Sequence, residues 1–489
     1  MEKRIVVVVL LEAGPDYPDV HAAPDDIRSG FVMGGKAHDW GYLSEPIAGA
    51  AAVTPGSDGG VIPMLRGKVV GGSSSVNGAA IRRPRPSDFD AWIATGNPLW
   101  NWEQVLPVLR ELEDDPAGGE YHGCGGPLHI HRFAPATMRP VHQRFLDACR
   151  IHDFPLVADH NAPDSIGAGP IPLNLVDGVR QSAAVTHLSA ARGRPNLTVR
   201  SGVMADRIDV VNGRARGVQL TNGERIAADV VVVSAGAYGS PAILMRSGVG
   251  PADELDLLGI DVVADLSAVG ENLRDHPQFA VAFVGDVEAL GSPEPPVQTI
   301  LTFNSDASRD PSRTDLEAAL FTPCAPSDWF SAPPGTVIVA IGLMKPQSRG
   351  RLRLRSADPT DPPRIWPNFF AEPNDLDRLV GGVNVVRQLL ATPELRRLVG
   401  EESFPGPSVS GDLLVELVRT STPSYAHATG TCQMGPDAGT AVVDQTGKVH
   451  GVSGLWVIDA SIMPALPSVP TNFTTMMLAE RCVGWMNNA

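Results

Sequence analysis

A chain of 489 residues with 43% hydrophobic and 19% charged content is long enough for two hydrophobic cores and has the composition of an ordinary folded enzyme. Its formal charge of −16 argues against nucleic acid or an anionic membrane surface as partner, because either would favour a basic face. No apolar run reaches the roughly 20 residues that a membrane-spanning helix needs, so no membrane span is expected.

The chain opens with Met1-Glu2-Lys3-Arg4 and an apolar run from Ile5 to Leu11, which superficially imitates a signal peptide. The run stops at Glu12 with no small-x-small cleavage pattern, so it reads as a buried parallel strand ending in an acid. In a dinucleotide-binding fold such an acid holds ribose hydroxyls, about 20 residues after a Gly-x-Gly-x-x-Gly turn. That turn occurs nowhere in this chain. Three readings follow: a truncated sequence, a deletion that fused the remains of strand one to strand two, or a protein without a dinucleotide cofactor.

Beyond Glu12 a loop-rich region carries Asp39-Trp40-Gly41-Tyr42 and the Gly71-Gly72 turn. Residues 86–102 read as loop and turn, and residues 102–112 as a short amphipathic helix. The section through Tyr121-His122-Gly123 and Pro127-Leu128-His129-Ile130 is expected to cross into a second domain. His129 and His131 share one face of a strand but have no further ligands at a suitable spacing, so no metal site is expected. Arg180 to Ala184 is expected to open a helix that returns to the first domain.

Residues 197–200 and 205–210 have strand composition, and Asn212-Gly213 and Asn222-Gly223 predict hairpin turns after them. Residues 230–236 read as a buried strand feeding a small-residue turn, with a helix from Pro241. From Gln278 to Arg364 alternating segments with Pro-rich connections predict an antiparallel sheet, and Asp375 to Leu390 a helix. Cys124, Cys149, Cys324, Cys432 and Cys482 include no Cys-x-x-Cys pair, which fits a reducing, cytoplasmic setting without a disulfide framework.

The chemistry concentrates between Tyr425 and Met477. His427-Ala428-Thr429-Gly430-Thr431-Cys432-Gln433-Met434-Gly435 sets one titratable imidazole among small residues. A strand-like stretch ending in Asp459-Ala460 follows, and then Thr471-Asn472-Phe473-Thr474 opens a helical pattern. A base and a helix N-terminus brought together in this way suit a flat cofactor.

This block resembles the glucose–methanol–choline (GMC) family of flavin-dependent oxidoreductases, in which the motif histidine stands over the flavin. Arg66-Gly67-Lys68-Val69-Val70-Gly71-Gly72-Ser73-Ser74-Ser75-Val76-Asn77-Gly78 is similar to one family signature, and residues 236–250 to a second. Residues 269–277 and 348–354 are further family-like landmarks in the expected order. The segment from Ile171 to Arg180 is similar to the mycofactocin-associated branch, whose members are dehydrogenases.

The resemblance implies an α/β fold with an α+β second domain: a Rossmann-like FAD-binding domain, N-terminally incomplete, interleaved with an antiparallel-sheet substrate domain. The corresponding division is residues 1–125, 180–277 and 420–489 for FAD, and 126–179 and 278–419 for substrate. It also implies non-covalent FAD, because Val76 stands where some relatives carry the histidine that attaches the flavin. Gly71, Gly72, Ser73, Ser74 and Asn77 would lie under the flavin, and Val203 would contact adenine through its backbone. Glu12 would hold the ribose, and Asp459 and Ala460 would meet the pyrophosphate or ribityl chain. Asn472, Phe473 and Thr474 would point amides at the pyrimidine edge.

The implied reaction is oxidation of an alcohol to an aldehyde or ketone, with His427 as base because imidazole titrates nearest the working pH. Electrons would pass to oxygen, a quinone or a redox carrier. The family's second catalytic group falls at Pro470, which has no donor and no titratable group. Asn472 and Tyr425 are then the nearest alternatives. His276 and His450 read as structural. A flavin-free remnant with a binding role and a flavin-dependent hydroxynitrile lyase are the competing functional readings.

Overall fold

The computed structural model describes residues 7–32, 34–46, 60–292, 294–306, 314–322 and 333–487. Strand β1 (Val8–Leu11) emerges where the apolar start predicts one, although Met1 to Val6 lie outside the described residues. Helix α1 (Pro86–Ala94) occupies a stretch expected to be loop. Pro86 fits a first-turn position because its missing N–H would be unpaired there anyway, and Asp88 accepts from the Arg85 amide in a capping box. Helix α2 (Trp102–Leu112) matches its prediction residue for residue, capped by Asn101, whose side chain accepts from the Gln104 amide.

Helix α3 (Pro140–Ile151) and strand β2 (Gly167–Pro170) belong to the second half of the molecule. Arg180 does not open a helix. Asp177 and Gly178 turn the chain back with positive φ, and Arg180 pairs with Leu175 in a short hairpin. From that register its buried guanidinium reaches the carbonyls of Asp26, Ile27, Ser29, Val32 and Ser75, and the helical turn starts only at Ala184. Strands β3 (Leu197–Arg200), β4 (Ala205–Val211) and β5 (Arg214–Leu220) follow. Asn212 and Gly213 both take positive φ between β4 and β5, as a two-residue hairpin requires.

Strand β6 (Val231–Val233) feeds helix α4 (Gly236–Arg246), which begins five residues before the expected Pro241. Pro241 therefore sits inside the helix, where it cannot donate to the carbonyl of Ala237. Thr431 supplies the missing donor: its Oγ1 lies 2.6 Å from that oxygen. A residue of the histidine motif thus repairs the helix of the second signature.

Strands β7 (Gln278–Val284), β8 (Val297–Phe303), β9 (Leu316–Phe321) and β10 (Thr336–Leu343) form the predicted antiparallel sheet. Helix α5 (Pro373–Leu390), strand β11 (Glu401–Phe404) and helix α6 (Asp412–Ser421) come next. The chain ends with strand β12 (Leu455–Val457) and helix α7 (Thr471–Asn487).

The large sheet has the order β11-β7-β10-β9-β8-β2. Side chains alternate across it. Phe279, Val281, Leu316, Leu320, Val339 and Ile341 pack into one core with residues of α3, α5 and α6. Gln278, Gly342 and Glu317 form a cross-strand row on the opposite face. A second core joins α1, α2, α4, β6, β12 and α7.

The parallel part is divided. β1 pairs with β3, and β6 pairs with β12, each as a two-stranded parallel ladder. The expectation that β1 is buried does not hold: Val8, Val9 and Leu10 are 44%, 40% and 36% exposed. Val232 of β6 is exposed as well. Parallel strands are normally covered on both faces, and here neither ladder has a described strand on its second edge.

Candidate active site

His427 is placed by the turn before it. Ala426 adopts a left-handed φ of 63°, unusual for a residue with a side chain, and Ser424 Oγ accepts its amide at 2.8 Å. Asp275 ties the turn down, taking the amides of His427 and His276, each at 2.8 Å, and the hydroxyl of Ser424. From the other side Arg66 donates to the carbonyls of Ala426 and Leu65 while lying over the Tyr238 ring. Burial pushes the Asp275 carboxyl up, and the Arg66 charge pulls it back.

The rings of His276 and His427 meet edge to face, with their Nδ1 atoms 2.9 Å apart. His276 Nε2 lies 3.1 Å from the carbonyl oxygen of Pro467, so Nε2 carries a hydrogen. His276 is fully buried, and burial with the nearby Lys345 charge lowers its pKa to about 3. The ring is therefore neutral, and its Nδ1 can only accept. The proton between the rings must belong to His427 Nδ1. That leaves His427 Nε2 unprotonated, with no partner among the described residues. Burial, then His276 and Arg66, hold the His427 pKa well below the ordinary imidazole value, so the ring is neutral at neutral pH and Nε2 has a free lone pair. A sequence reading that treats His276 as structural misses this role; its place in the Asp275-His276-Pro277 turn gives no sign of a partner 151 residues away.

Tyr425 stacks on His427 with ring centres 4.6 Å apart. Its ring rests against Gly342, where an added Cβ would approach Tyr425 Cε1 to 2.8 Å. Its hydroxyl is 3.2 Å from Glu317 Oε1, and the other Glu317 oxygen is paired with buried Arg82. Tyr425 thus aims its hydroxyl at a carboxylate on the sheet. As a direct partner for an alkoxide it is the weaker of the two alternatives to Pro470.

Asn472 presents a different picture. It lies in the first turn of α7, where backbone amides have no intrahelical acceptor, and its Nδ2 is buried without a hydrogen-bond partner. Thr474 Oγ1 is orphaned in the same way, as are Ser461 Oγ and Thr429 Oγ1. Phe473 is fully buried beside them. The loop before this helix is pinned by Asp88, which takes the amide and hydroxyl of Ser468, and by the His276–Pro467 contact.

The glycine turn is open where a planar group would need it open. Gly71 has φ of 93° and an added Cβ would strike Ser75, whereas one on Gly72 or Gly78 meets nothing within 4 Å. Ser73 Oγ accepts from the Gly67 amide; Ser74 Oγ donates to the Gly71 carbonyl and accepts the Ala183 amide; Asn77 Oδ1 accepts from Ala79. These side chains shape the turn. Glu12 uses one oxygen on the Gly14 amide and its carbonyl on the Val203 amide, and burial raises its pKa.

The Asp459 carboxylate is spent on the Gly236 and Ser461 amides and the Ser240 hydroxyl, which locks β12 to the start of α4. Ala460 follows at the same corner, accepting the Gly430 amide. The open glycine face, the orphaned donors at α7 and the remaining Glu12 oxygen fit a flavin nucleotide.

Glu113, Asp115 and His122 bring ligand-type atoms within 4.8 Å of one another. Arg83 is paired with Glu113, and Arg132 with Asp115 and Asp159, so the cluster balances its charge from within.

Two family models, both described as GMC oxidoreductase, match residues 44–278 and 346–479. The chain is 33% identical to the oxygen-dependent choline dehydrogenase of Paraburkholderia phymatum, covering 98% of this chain and 88% of that protein. It is 33% identical to the 5-(hydroxymethyl)furfural oxidase of Methylovorus sp., covering 97% and 92%. The crystal structure of pyridoxine 4-oxidase from Mesorbium loti superposes with a TM-score of 0.87 at 30% identity, over 99% of this chain and 94% of that one.

Proposed function

The chain belongs to the GMC oxidoreductase family, and from that membership we propose that it oxidises an alcohol to an aldehyde or ketone with FAD as cofactor and His427 as the base. The observation that carries the assignment of the base is the chain of contacts from the Pro467 carbonyl through His276 to His427, which leaves Nε2 of His427 unprotonated. That nitrogen takes the hydroxyl proton of the substrate. FAD, when bound, would supply the acceptor for the hydrogen that leaves the adjacent carbon as hydride.

The residues that would hold the cofactor are Gly71, Gly72 and Gly78, whose open face permits close approach, and Glu12 on the ribose side. Asn472, Phe473 and Thr474 would hold it at the end of α7, where helix amides favour negative charge. Asn472 is the better candidate for a second polar contact to the substrate oxygen, because its amide is unspent. The flavin is held non-covalently, as Val76 offers no attachment atom.

Two domains share the work on this reading: residues 1–125, 180–277 and 420–489 around FAD, and 126–179 and 278–419 around the substrate. No helix among the described residues is long and apolar enough to cross a membrane. The four described cysteines are free, which supports a cytoplasmic setting. Electrons then pass to oxygen, a quinone or a redox carrier, with the mycofactocin-like segment favouring a carrier. Reoxidation in air against reoxidation by an artificial dye separates these.

The visible spectrum tests the whole reading. Purified protein is expected to be yellow, or to become so with FAD, and to bleach with an alcohol in the absence of air. A protein that stays colourless with FAD overturns it, and one that binds flavin but cleaves a cyanohydrin without bleaching is a lyase. His427→Ala should keep its flavin while reduction slows by ~100-fold or more, the usual scale for a general base.

A further inference from the structure

Most buried or half-buried arginines in this chain have their charge answered. Arg82 faces Glu317, Arg83 faces Glu113, Arg132 faces Asp115 and Asp159, and Arg378 faces Asp315 and Asp375. Arg139 and Arg180 are surrounded by backbone carbonyls. Arg274 is different. Its guanidinium is half-buried, and it makes one hydrogen bond among the described residues, from Nε to the neutral Asn272 Oδ1 at 3.1 Å. Both terminal nitrogens are left over.

Arg274 lines a cavity of about 640 Å³ that has a second cation on its wall, Arg349, together with Gln347, Ser348, Asn368 and Glu372. Arg349 has no ion-pair partner among the described residues, and its carbonyl accepts from Asn368 Nδ2. Two acids lie near. Asp375 is spent, since its carboxylate takes the Gln347 and Ser348 amides and the Arg378 guanidinium. Glu372 is exposed. Burial, with Arg349 beside it, lowers the Arg274 pKa to about 10, and Asp375 opposes the shift. Two guanidinium groups brought together in a chain with a large acidic excess are an arrangement that an anion would stabilise.

We propose that this cavity is an oxyanion-binding site, separate from the alcohol site, that holds the phosphate or carboxylate group of a small molecule between Arg274 and Arg349. Planar guanidinium forks match both groups in a bidentate manner, which lysines in the same places would not. The cavity is large enough for more than the anionic group itself. It also adjoins the catalytic segment: Arg274 exchanges both backbone hydrogen bonds with Thr429, at 3.0 and 2.8 Å, and Asp275 and His276 follow it directly.

Calorimetric titration of FAD-loaded protein with inorganic phosphate, and separately with succinate, tests this. Ionic strength is held constant with sodium chloride, and the bound flavin keeps the probes out of its own pyrophosphate site. One site per chain is expected for at least one probe. Phosphate alone indicates a phosphate ester as the occupant, and succinate alone a carboxylate. Arg274→Gln should abolish that binding and Arg349→Gln should weaken it by about tenfold or more. Arg349 is exposed, so its variant should fold normally and decides the matter even where Arg274→Gln does not fold. Failure of both probes to bind, or unchanged binding in Arg349→Gln, overturns the proposal.

Discussion

On the proposed reading, a proton on Nδ1 of His427 and not on Nε2 leaves that ring able to serve as the base, and His276 is the residue that holds it there. This assigns His276 a positioning role with its own signature. In His276→Ala water enters beside the ring and relieves the burial that chiefly lowers the His427 pKa, so the acid limb of flavin reduction should move up toward the ordinary imidazole value, about pH 6.5. His276→Asn keeps an acceptor oxygen close to the Nδ1 position and should retain more activity than the alanine variant. A pH profile of the reductive step reads both. A purely packing role for His276 would lower the rate without moving the limb. His427 stands out in the sequence as a candidate because its motif is contiguous. His276 does not, because the pair forms only when two distant segments meet across the Asp275 carboxylate. The direction of the Tyr425 hydroxyl was hidden for the same reason, since Glu317 lies on another strand of the sheet.

Among the elements, the ones that could be read were those whose signal is local. Helix α2 announces itself by an apolar stripe and a capping Asn101, and the β4–β5 hairpin by Asn212-Gly213. Helix α1 is hidden in the sequence because Pro86 reads as punctuation, and its capping box opens on Arg85, an uncommon capping residue. Helix α4 was expected to start at Pro241, and its true start depends on Thr431, which lies nearly two hundred residues later. That dependence can be measured. Thr431→Val keeps the shape of the side chain but leaves the Ala237 carbonyl without a donor in a fully buried place. It should cost about 1–3 kcal/mol, read as a lower urea midpoint with an unchanged slope. No change in midpoint would mean the helix relaxes around Pro241 by itself.

For the molecule as a whole, acid should be more damaging than mild base. Burial lowers the pKa of His142 and His276 to about 3, and that of His160 well below the ordinary imidazole value. Unfolded, each would take up a proton near pH 6.5, so their contribution is present above that pH and is lost as the solution becomes more acidic. Each fully depressed histidine withdraws about 2 kcal/mol between pH 7 and pH 5. His122 works in the other direction. Burial opposes its charge, but Asp115, Asp159 and Glu113 raise its pKa to about 11, so its contribution is full below about pH 6.5 and is lost progressively as pH rises from there to about 11. Melting temperatures that do not fall from pH 7 to pH 5 would contradict this account. The antiparallel sheet was legible from alternation along its strands. The split of the parallel ladders was not, because pattern reveals that a strand wants cover and not whether it has any.

That split has a bearing on how the chain behaves in a tube. Val8, Val9 and Leu10 are exposed on a strand whose second edge has no partner among the described residues, and Val232 lies on another. Ribbons of this kind recruit a neighbour of the same sort, whichever polypeptide supplies it. Sedimentation at rising protein concentration should therefore show clumping that Val9→Lys relieves, and a monodisperse species at every concentration would mean the ribbon is already sheathed.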